Sequence, residues 1–137
     1  MNDGFRIHND PSDADVRDIH RFLTEEAYWS KGISIECVRK ALANSLCFVG
    51  YLDDEFAAFG RAVTDLSSFG YLKDIFVLPA HRDRGVGKLL VAAMLERLEQ
   101  EGVGTLMLAT ADAHGLYRRF GFELVGDSTK LMRRASD

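Results

Sequence analysis

"PAHRDRGVGKLL" (residues 79–90) joins a strand-like apolar run to a helix-like one and concentrates glycine and positive charge at the junction. A strand, a glycine-rich turn and a helix together make a ready anion site. The first N–H groups of a helix have no intrahelical partner, and the helix dipole adds positive potential there. Glycine lets a ligand approach the backbone with no Cβ in the way. Three designs use this logic. The phosphate loop of nucleotide hydrolases needs G-x-x-x-x-G-K-[ST]; here residue 82 is Arg and residue 89 is Leu, so the pattern fails twice. The dinucleotide turn needs G-x-G-x-x-G; Gly85-Val86-Gly87 is followed by Leu90 in place of the third glycine, and no repeated βαβ unit precedes it. The third pattern, R/Q-x-x-G-x-G/A, is met in full by Arg82-Asp83-Arg84-Gly85-Val86-Gly87.

Upstream of the turn, residues 69–79 read as an apolar strand with one internal charge, Asp74. An apolar pattern on both faces predicts a central strand covered on both sides. Before it, residues 46–53 and 55–65 read as a hairpin joined at Asp53-Asp54, although without the Asp-Gly that favours such turns. Residues 34–45 read as a short helix with a stripe of Cys37, Val38, Ala41 and Leu42, and residues 11–29 as a longer one capped by Ser12 or Asp13, with Val16, Ile19, His20 and Leu23 at helical spacing. Residues 5–10 form a short first strand. Downstream, Val86, Leu89, Leu90, Ala93, Met94 and Leu98 mark the best amphipathic helix, stopped by Gly102. "GTLMLATAD" (104–112) reads as a further buried strand. "AHGLYRRFGF" (113–122) reads as a short helix capped by Asp112 and ended by Gly121, and residues 122–135 as a closing strand or hairpin.

The expected architecture is therefore one α/β domain over residues 1–137. A mixed, mostly antiparallel sheet of six to seven strands is flanked by about four helices, in the order β-α-α-β-β-β-α-β-α-β(-β).

The chain has 137 residues, 47% of them hydrophobic and 28% charged, with a formal net charge of -4. That balance gives no bulk attraction to nucleic acid or an anionic membrane, so any positive site is local. A second basic cluster, Lys130, Arg133 and Arg134, reads as a solvated end. The two cysteines, Cys37 and Cys47, read as buried apolar filler, and the four histidines lack ligand spacing, so no metal is expected. No apolar leader opens the chain and no run approaches about 20 apolar residues. The expected location is cytoplasmic.

With "V-x-P" (Val77-Leu78-Pro79) just ahead of the turn and "LYRRFGF" (116–122) beyond it, the chain resembles the GNAT superfamily of N-acetyltransferases across nearly its whole length. The resemblance implies acetyl-coenzyme A as cosubstrate. It implies a fourth strand that splays from the fifth, with the pantetheine arm lying between them like a strand. Phe76, Val77 and Leu78 would serve through main chain, with an N–H near Val77 donating to the thioester oxygen. Arg82, Asp83, Arg84, Gly85, Val86, Gly87 and Lys88 would hold the pyrophosphate. Many members have Gly where Asp83 stands, a position the motif leaves free, and often Asn where Thr110 stands, so contacts of that Asn do not carry over.

Tyr117 matches the family's tyrosine and is the candidate general acid; a phenol is protonated at neutral pH and can give its proton to a thiolate. The other reading is a ring that packs under the cofactor without transferring a proton. His114, one turn earlier, is a candidate cofactor contact. "KDIFVLP" is similar to the "EDFFV"-type strand of diamine acetyltransferases, where an acid at the position of Asp74 faces the amine. Asp74 is thus a candidate to bind or, through water, deprotonate the acceptor; a structural pair with Arg61 is the alternative. Tyr71 lies on the opposite face of an ideal strand, but the bulge this strand has in the family would change that parity. Tyr28 and Trp29, in "EEAYWSKG" (25–32), either line the acceptor pocket or seal the first helix onto the sheet. Glu25, Glu26, Asp65 and Asp74 would give a negative rim suited to a cationic amine.

The expected activity is transfer of acetyl to a primary amine of a small molecule or a peptide by direct attack. The competing class is a coenzyme A-binding sensor or scaffold without turnover. No nucleic acid or membrane partner is expected. Members of the family often pair through sheet edges, so a homodimer is expected by analogy.

Overall fold

The computed structural model describes residues 4–126 and 130–135. The elements run β1 (Phe5–His8), α1 (Asp13–Glu25), α2 (Ile35–Ala43), β2 (Leu46–Leu52), β3 (Glu55–Thr64), β4 (Gly70–Val77), a 3-10 turn (Pro79–His81), α3 (Val86–Gln100), β5 (Leu106–Met107) and α4 (His114–Arg118). The five strands lie in one sheet in chain order, antiparallel from β1 to β4, with β5 parallel to β4. This is the expected mixed α/β fold.

Alternation along the strands divides the core into two layers. Cys47, Val49, Phe59 and Phe76 turn to one face and pack with Ile19, Phe22 and Leu23 of α1 and Val38 and Leu42 of α2. Phe48, Ala58, Ala62 and Leu72 turn to the other and pack with Val86, Leu90, Met94 and Leu98 of α3. Burying each such large apolar side chain contributes roughly 1.5–3 kcal/mol.

Local chemistry fixes the ends. Ser12 caps α1: its Oγ accepts from the Asp15 N–H at 3.1 Å, and the Asp15 carboxylate accepts from the Ser12 N–H at 2.9 Å. Asp15 also accepts from the Tyr51 hydroxyl, which accounts for an acid left only 1% exposed. Asp53 and Asp54 both take positive φ, 52° and 66°, the two-residue geometry that matches the twist of paired strands.

Several expectations are corrected. The sheet has five strands among the described residues, fewer than the six to seven expected; residues 122–125 follow α4 without entering it, and part of the expected closing hairpin, residues 127–129, lies outside the described residues. β5 is only two residues long and half-buried, because it pairs with β4 alone. α1 stops at Glu25, so Tyr28 and Trp29 sit in the turn beyond it. On α3 it is Val91, not Leu89, that is buried, because the helix packs along its i, i+4 row and Leu89 falls on the flank. Cys37 is exposed, because α2 buries only Val38 and Leu42.

Candidate functional site

The site begins with a break in the pairing of β3 and β4. Arg61 stands opposite Lys73 and Phe59 opposite Phe76, so Gly60 alone faces both Asp74 and Ile75. The extra residue is Asp74, held in the left-handed region at φ 54°. A bulge of this kind shifts both the side-chain alternation and the hydrogen-bond phase downstream. Lys73 shares the face of its partner Arg61, and Asp74 reaches the same Arg61, so the alternation fails at this point. Tyr71, two residues before Lys73, is therefore on Asp74's face, the parity expected if the strand carried a bulge. Gly60 makes room for this: a Cβ there would lie 2.8 Å from Met94 Sδ and 3.1 Å from Ile75 Cγ1.

The hydrogen-bond phase matters as much. Leu78 N–H donates to Ala57 O at 2.8 Å while Val77 stands opposite Ala58. In an antiparallel ladder the N–H of Val77 therefore points away from β3. On that side β5 pairs with β4 only at Gly70 and Tyr71 and then departs. Past Tyr71, β4 presents an edge with no strand partner among the described residues. The opening is a cleft of about 420 Å³. Tyr28 and Trp29 stand on one wall, Tyr71, Asp74 and Ile75 on β4, and Thr110 and Tyr117 on the far wall.

Beyond the cleft, β4 runs on through Val77 and the 3-10 turn to the glycine turn. Gly85, φ 77°, is the N-cap of α3 and offers no side-chain cap, so the first N–H groups of the helix are open to a ligand. A Cβ at Gly87 would meet only Val77 Cγ2, at 3.6 Å, an ordinary contact. Nothing in the protein itself requires glycine there; the space suits a group lying against the backbone. Arg82, Arg84 and Lys88 are exposed around the turn. Arg82 turns back, its Nε donating to the Val77 carbonyl at 2.9 Å, so it braces the turn as well as charging it. Asp83 is not a free position: its φ is 63°, where glycine is favoured and Asp is among the few tolerated alternatives. This geometry fits the pantetheine arm along β4 and the pyrophosphate on α3.

Asp74 is held at both oxygens. Arg61 Nε donates to Oδ2 at 2.8 Å, and Trp29 Nε1 donates to Oδ1 at 2.8 Å. Arg61 also donates to Ser45 Oγ at 2.8 Å. The side chains of Arg61 and Asp74 are 10% and 9% exposed. The pairing with Arg61 weighed as the structural alternative is thus present, and it coexists with a place on the cleft wall. Tyr28 meets the Trp29 ring edge-on, with centroids 5.0 Å apart.

Tyr117 is 8% exposed and stands edge-on to Phe122. Burial, with the charge of Asp112 behind it, pushes its phenol up to about 12. The expected Asp112 cap is corrected: Thr110 Oγ1 instead accepts from the Ala113 N–H at 3.0 Å and orders the entry to α4. His114 lines a separate cavity of about 290 Å³ between β5 and residues 122–125, which Tyr117 also touches.

The fold thus brings Tyr28, Trp29, Tyr71, Asp74 and Tyr117 to one cleft. It gives Phe76 and Val86 to the core, at 5% and 1% exposure, and the N–H of Leu78 to β3. The acidic rim is not assembled: Glu25, Glu26 and Asp65 do not line the cleft. The Ser68 hydroxyl and the N–H groups of Ser68, Ser67 and Phe69 hold the Asp65 carboxyl far below the usual carboxylate range. Ser45 and Thr110 escaped the sequence reading as positioning groups. Arg61 carried a signal, as the one charge inside "FAAFGRAVT".

Comparison with known proteins agrees with this fold. The model of the Acetyltransferase (GNAT) family matches residues 34–122. The chain is similar to a crystal structure from Xanthomonas campestris pv. campestris, described as a putative acetyltransferase belonging to the GNAT family: 39% identity, 96% of this chain and 94% of that one, TM-score 0.85. It is 27% identical to "Putative acetyltransferase FG08082" of Gibberella zeae, over 82% of this chain and 75% of that protein. The ribosomal-protein-S18-alanine N-acetyltransferase of Escherichia coli shares the fold, with TM-score 0.71 and 24% identity over 87% of this chain and 77% of that one. Members of this family use acetyl-coenzyme A. With its open β4 edge, its glycine-capped α3 and a family match that spans both, this chain belongs to the GNAT acetyltransferase family.

Proposed function

We propose that the chain is an N-acetyltransferase that moves the acetyl group of acetyl-coenzyme A onto a primary amine of a small molecule or a peptide, by direct attack in a ternary complex. One observation carries the reading. The unpaired β4 edge runs from the glycine turn, past the outward N–H of Val77, into the cleft that holds Asp74 and Tyr117.

Acetyl-coenzyme A supplies the acyl group as a thioester, whose sulfur must leave as a protonated thiol. The first-turn N–H groups of α3, with Arg84 and Lys88 beside them, hold the pyrophosphate. Val77 N–H donates to the carbonyl oxygen as it gains negative charge. Asp74 draws the ammonium in, and through water it loses one proton to become the nucleophile; the nitrogen bonds to the acyl carbon as the carbon–sulfur bond breaks, and its second surplus proton leaves by the same water. Tyr117 delivers a proton to the sulfur, and with its phenol pushed up to about 12 it carries that proton at neutral pH. The aromatic faces of Tyr28, Trp29 and Tyr71 suit a cationic guest. Cys47 is unsuited to an acyl-enzyme route: it is 1% exposed, and burial pushes its thiol up to about 11 despite nearby Arg61.

The test is a thermal-shift titration with acetyl-coenzyme A, beside ATP and NAD. At about 100 times its Kd a ligand adds roughly 2.7 kcal/mol to stability. A rise with acetyl-coenzyme A alone, followed by thiol release with members of a primary-amine panel, is the expected result. A rise without thiol release on any amine would point to a coenzyme A sensor. No rise at millimolar concentration would end the proposal.

A further inference from the structure

We infer that Trp29 is the residue that selects the acceptor: its indole N–H sits on the Asp74 oxygen that an amine must reach, so an acceptor binds by displacing it. The inference rests on the amine-acceptor reading above and deepens it. Asp74 lines the cleft, yet its side chain is only 9% exposed. Arg61 covers Oδ2 from within the sheet, and Trp29 covers Oδ1 from the mouth.

The two covers are held very differently. Arg61 is buried, paired on β3 and tied to Ser45. Trp29 is 42% exposed, and its aromatic neighbour Tyr28 is 60% exposed. The backbone around Trp29 is anchored independently of the indole. Ala27 is buried, Ser30 Oγ donates to Leu23 O at 3.0 Å, and His20 Nε2 lies 2.9 Å from Ile33 O. The ring can therefore swing by a rotamer change, fast for an exposed side chain, without unfolding the turn.

The exchange has a built-in preference. The indole is a neutral donor to a carboxylate. An ammonium donor carries charge and makes the stronger bond. A neutral hydroxyl gains nothing over the indole it would replace. An ammonium regains the lost bond and adds an ion pair, with the displaced indole and Tyr71 left as aromatic surfaces beside it. Trp29 thereby favours amines that arrive as cations over alcohols of the same shape.

Trp29 is the chain's sole tryptophan, so its emission reports this event directly. The experiment measures acetyl transfer to a panel of primary amines, with the matching alcohols as controls, for wild type and Trp29→Phe. In parallel it records wild-type emission with coenzyme A present while the best amine of the panel is added. The expected results are a KM for amines lowered about three- to tenfold in Trp29→Phe, a narrowed preference over alcohols, and a red-shifted wild-type emission on amine binding. Asp74→Asn, whose amide cannot form the ion pair, should lose that shift. A KM that is unchanged or raised in Trp29→Phe while amines are still acetylated overturns the inference and leaves the acetyltransferase reading standing; Trp29 is then a fixed wall. An emission unmoved by an amine that is being acetylated overturns it equally. Acetylation of no amine by either protein overturns both.

Discussion

Val77 and Asp74 stand three residues apart on the same strand and equip its open edge in opposite ways. Val77 offers a backbone N–H, aimed outward by the phase of the β3–β4 ladder. Asp74 offers a carboxylate, aimed by Arg61 on β3 and Trp29 beyond α1. On the proposed function, the coenzyme half of the site would thus be main chain, and the acceptor half side chains gathered from distant elements. A backbone site tolerates wide change in side-chain identity so long as the turn, the bulge and the glycine hold. A side-chain site depends on each partner. Substitutions should therefore separate the halves.

The largest effect is expected at Tyr117. Removing the hydroxyl in Tyr117→Phe should lower kcat by about 10²–10⁴-fold, the usual range for general acid catalysis, with the Kd for acetyl-coenzyme A within about twofold by calorimetry. Equal losses in affinity and rate would assign the ring to cofactor binding instead. The same residue sets a pH signature. Burial pushes its phenol up to about 12 in the fold, above the ordinary tyrosine value of about 10. The fold thus favours the neutral phenol, a stabilisation fully present below the unfolded value of about 10 and lost as pH rises toward about 12. The alkaline limb of kcat due to this acid should accordingly lie above pH 10.

Next comes Arg61→Ala, which leaves the Asp74 carboxylate buried without its cation. Breaking one side of such a pair costs about 3 kcal/mol or more, a fall in Tm of roughly 10 °C. The affinity for acetyl-coenzyme A per folded molecule should hold while the KM for the amine rises. Gly87→Glu should do the reverse. A glutamate in the first turn of α3 suits the helix dipole, and the site has room for a Cβ, so Tm should hold or rise. Its charge would lie where the pyrophosphate must sit, and affinity for acetyl-coenzyme A should drop about 100-fold, or roughly 2.7 kcal/mol. If both variants disturb both ligands alike, the two halves are one coupled unit and the contrast fails.

The same contrast explains what could be read from the sequence. Strand, glycine turn and helix are contiguous, so the proposed coenzyme half is written in one short stretch, 77–88, and the periodicity of α3 completes it. Trp29 and Asp74 lie 45 residues apart, and Arg61 and Asp74 lie 13 apart. Nothing in local pattern says which cation an isolated acid will meet. The bulge that turns Asp74 and Val77 depends on Gly60 of a neighbouring strand and on Met94 of a helix, a packing fact with no local signal. The end of α1 lacks a local signal for a related reason: "EEAYW" is compatible with helix, yet the helix ends at Glu25. The chain leaves the helix because Ala27 is buried and Gly32 closes the turn at φ 81°, its N–H donating to Thr24 O.

The smallest effect tests the glycine turn from the side of its one unfavourable residue. Asp83 is held at φ 63° and places a carboxylate among Arg82, Arg84 and Lys88. Asp83→Gly removes the left-handed strain of an L-residue but frees the unfolded chain, and these two terms oppose each other, so stability should move by no more than about 1 kcal/mol in either direction. Charge gives the clearer sign. Exposed charges interact by about 0.2–1 kcal/mol, so losing this carboxylate should tighten acetyl-coenzyme A by up to about fivefold, most at low salt. Asp83→Asn keeps a residue that tolerates the left-handed region and loses only the charge. If it tightens the cofactor as much as Asp83→Gly, the gain is electrostatic; if only Asp83→Gly gains, backbone freedom in the turn limits how closely the pyrophosphate is gripped.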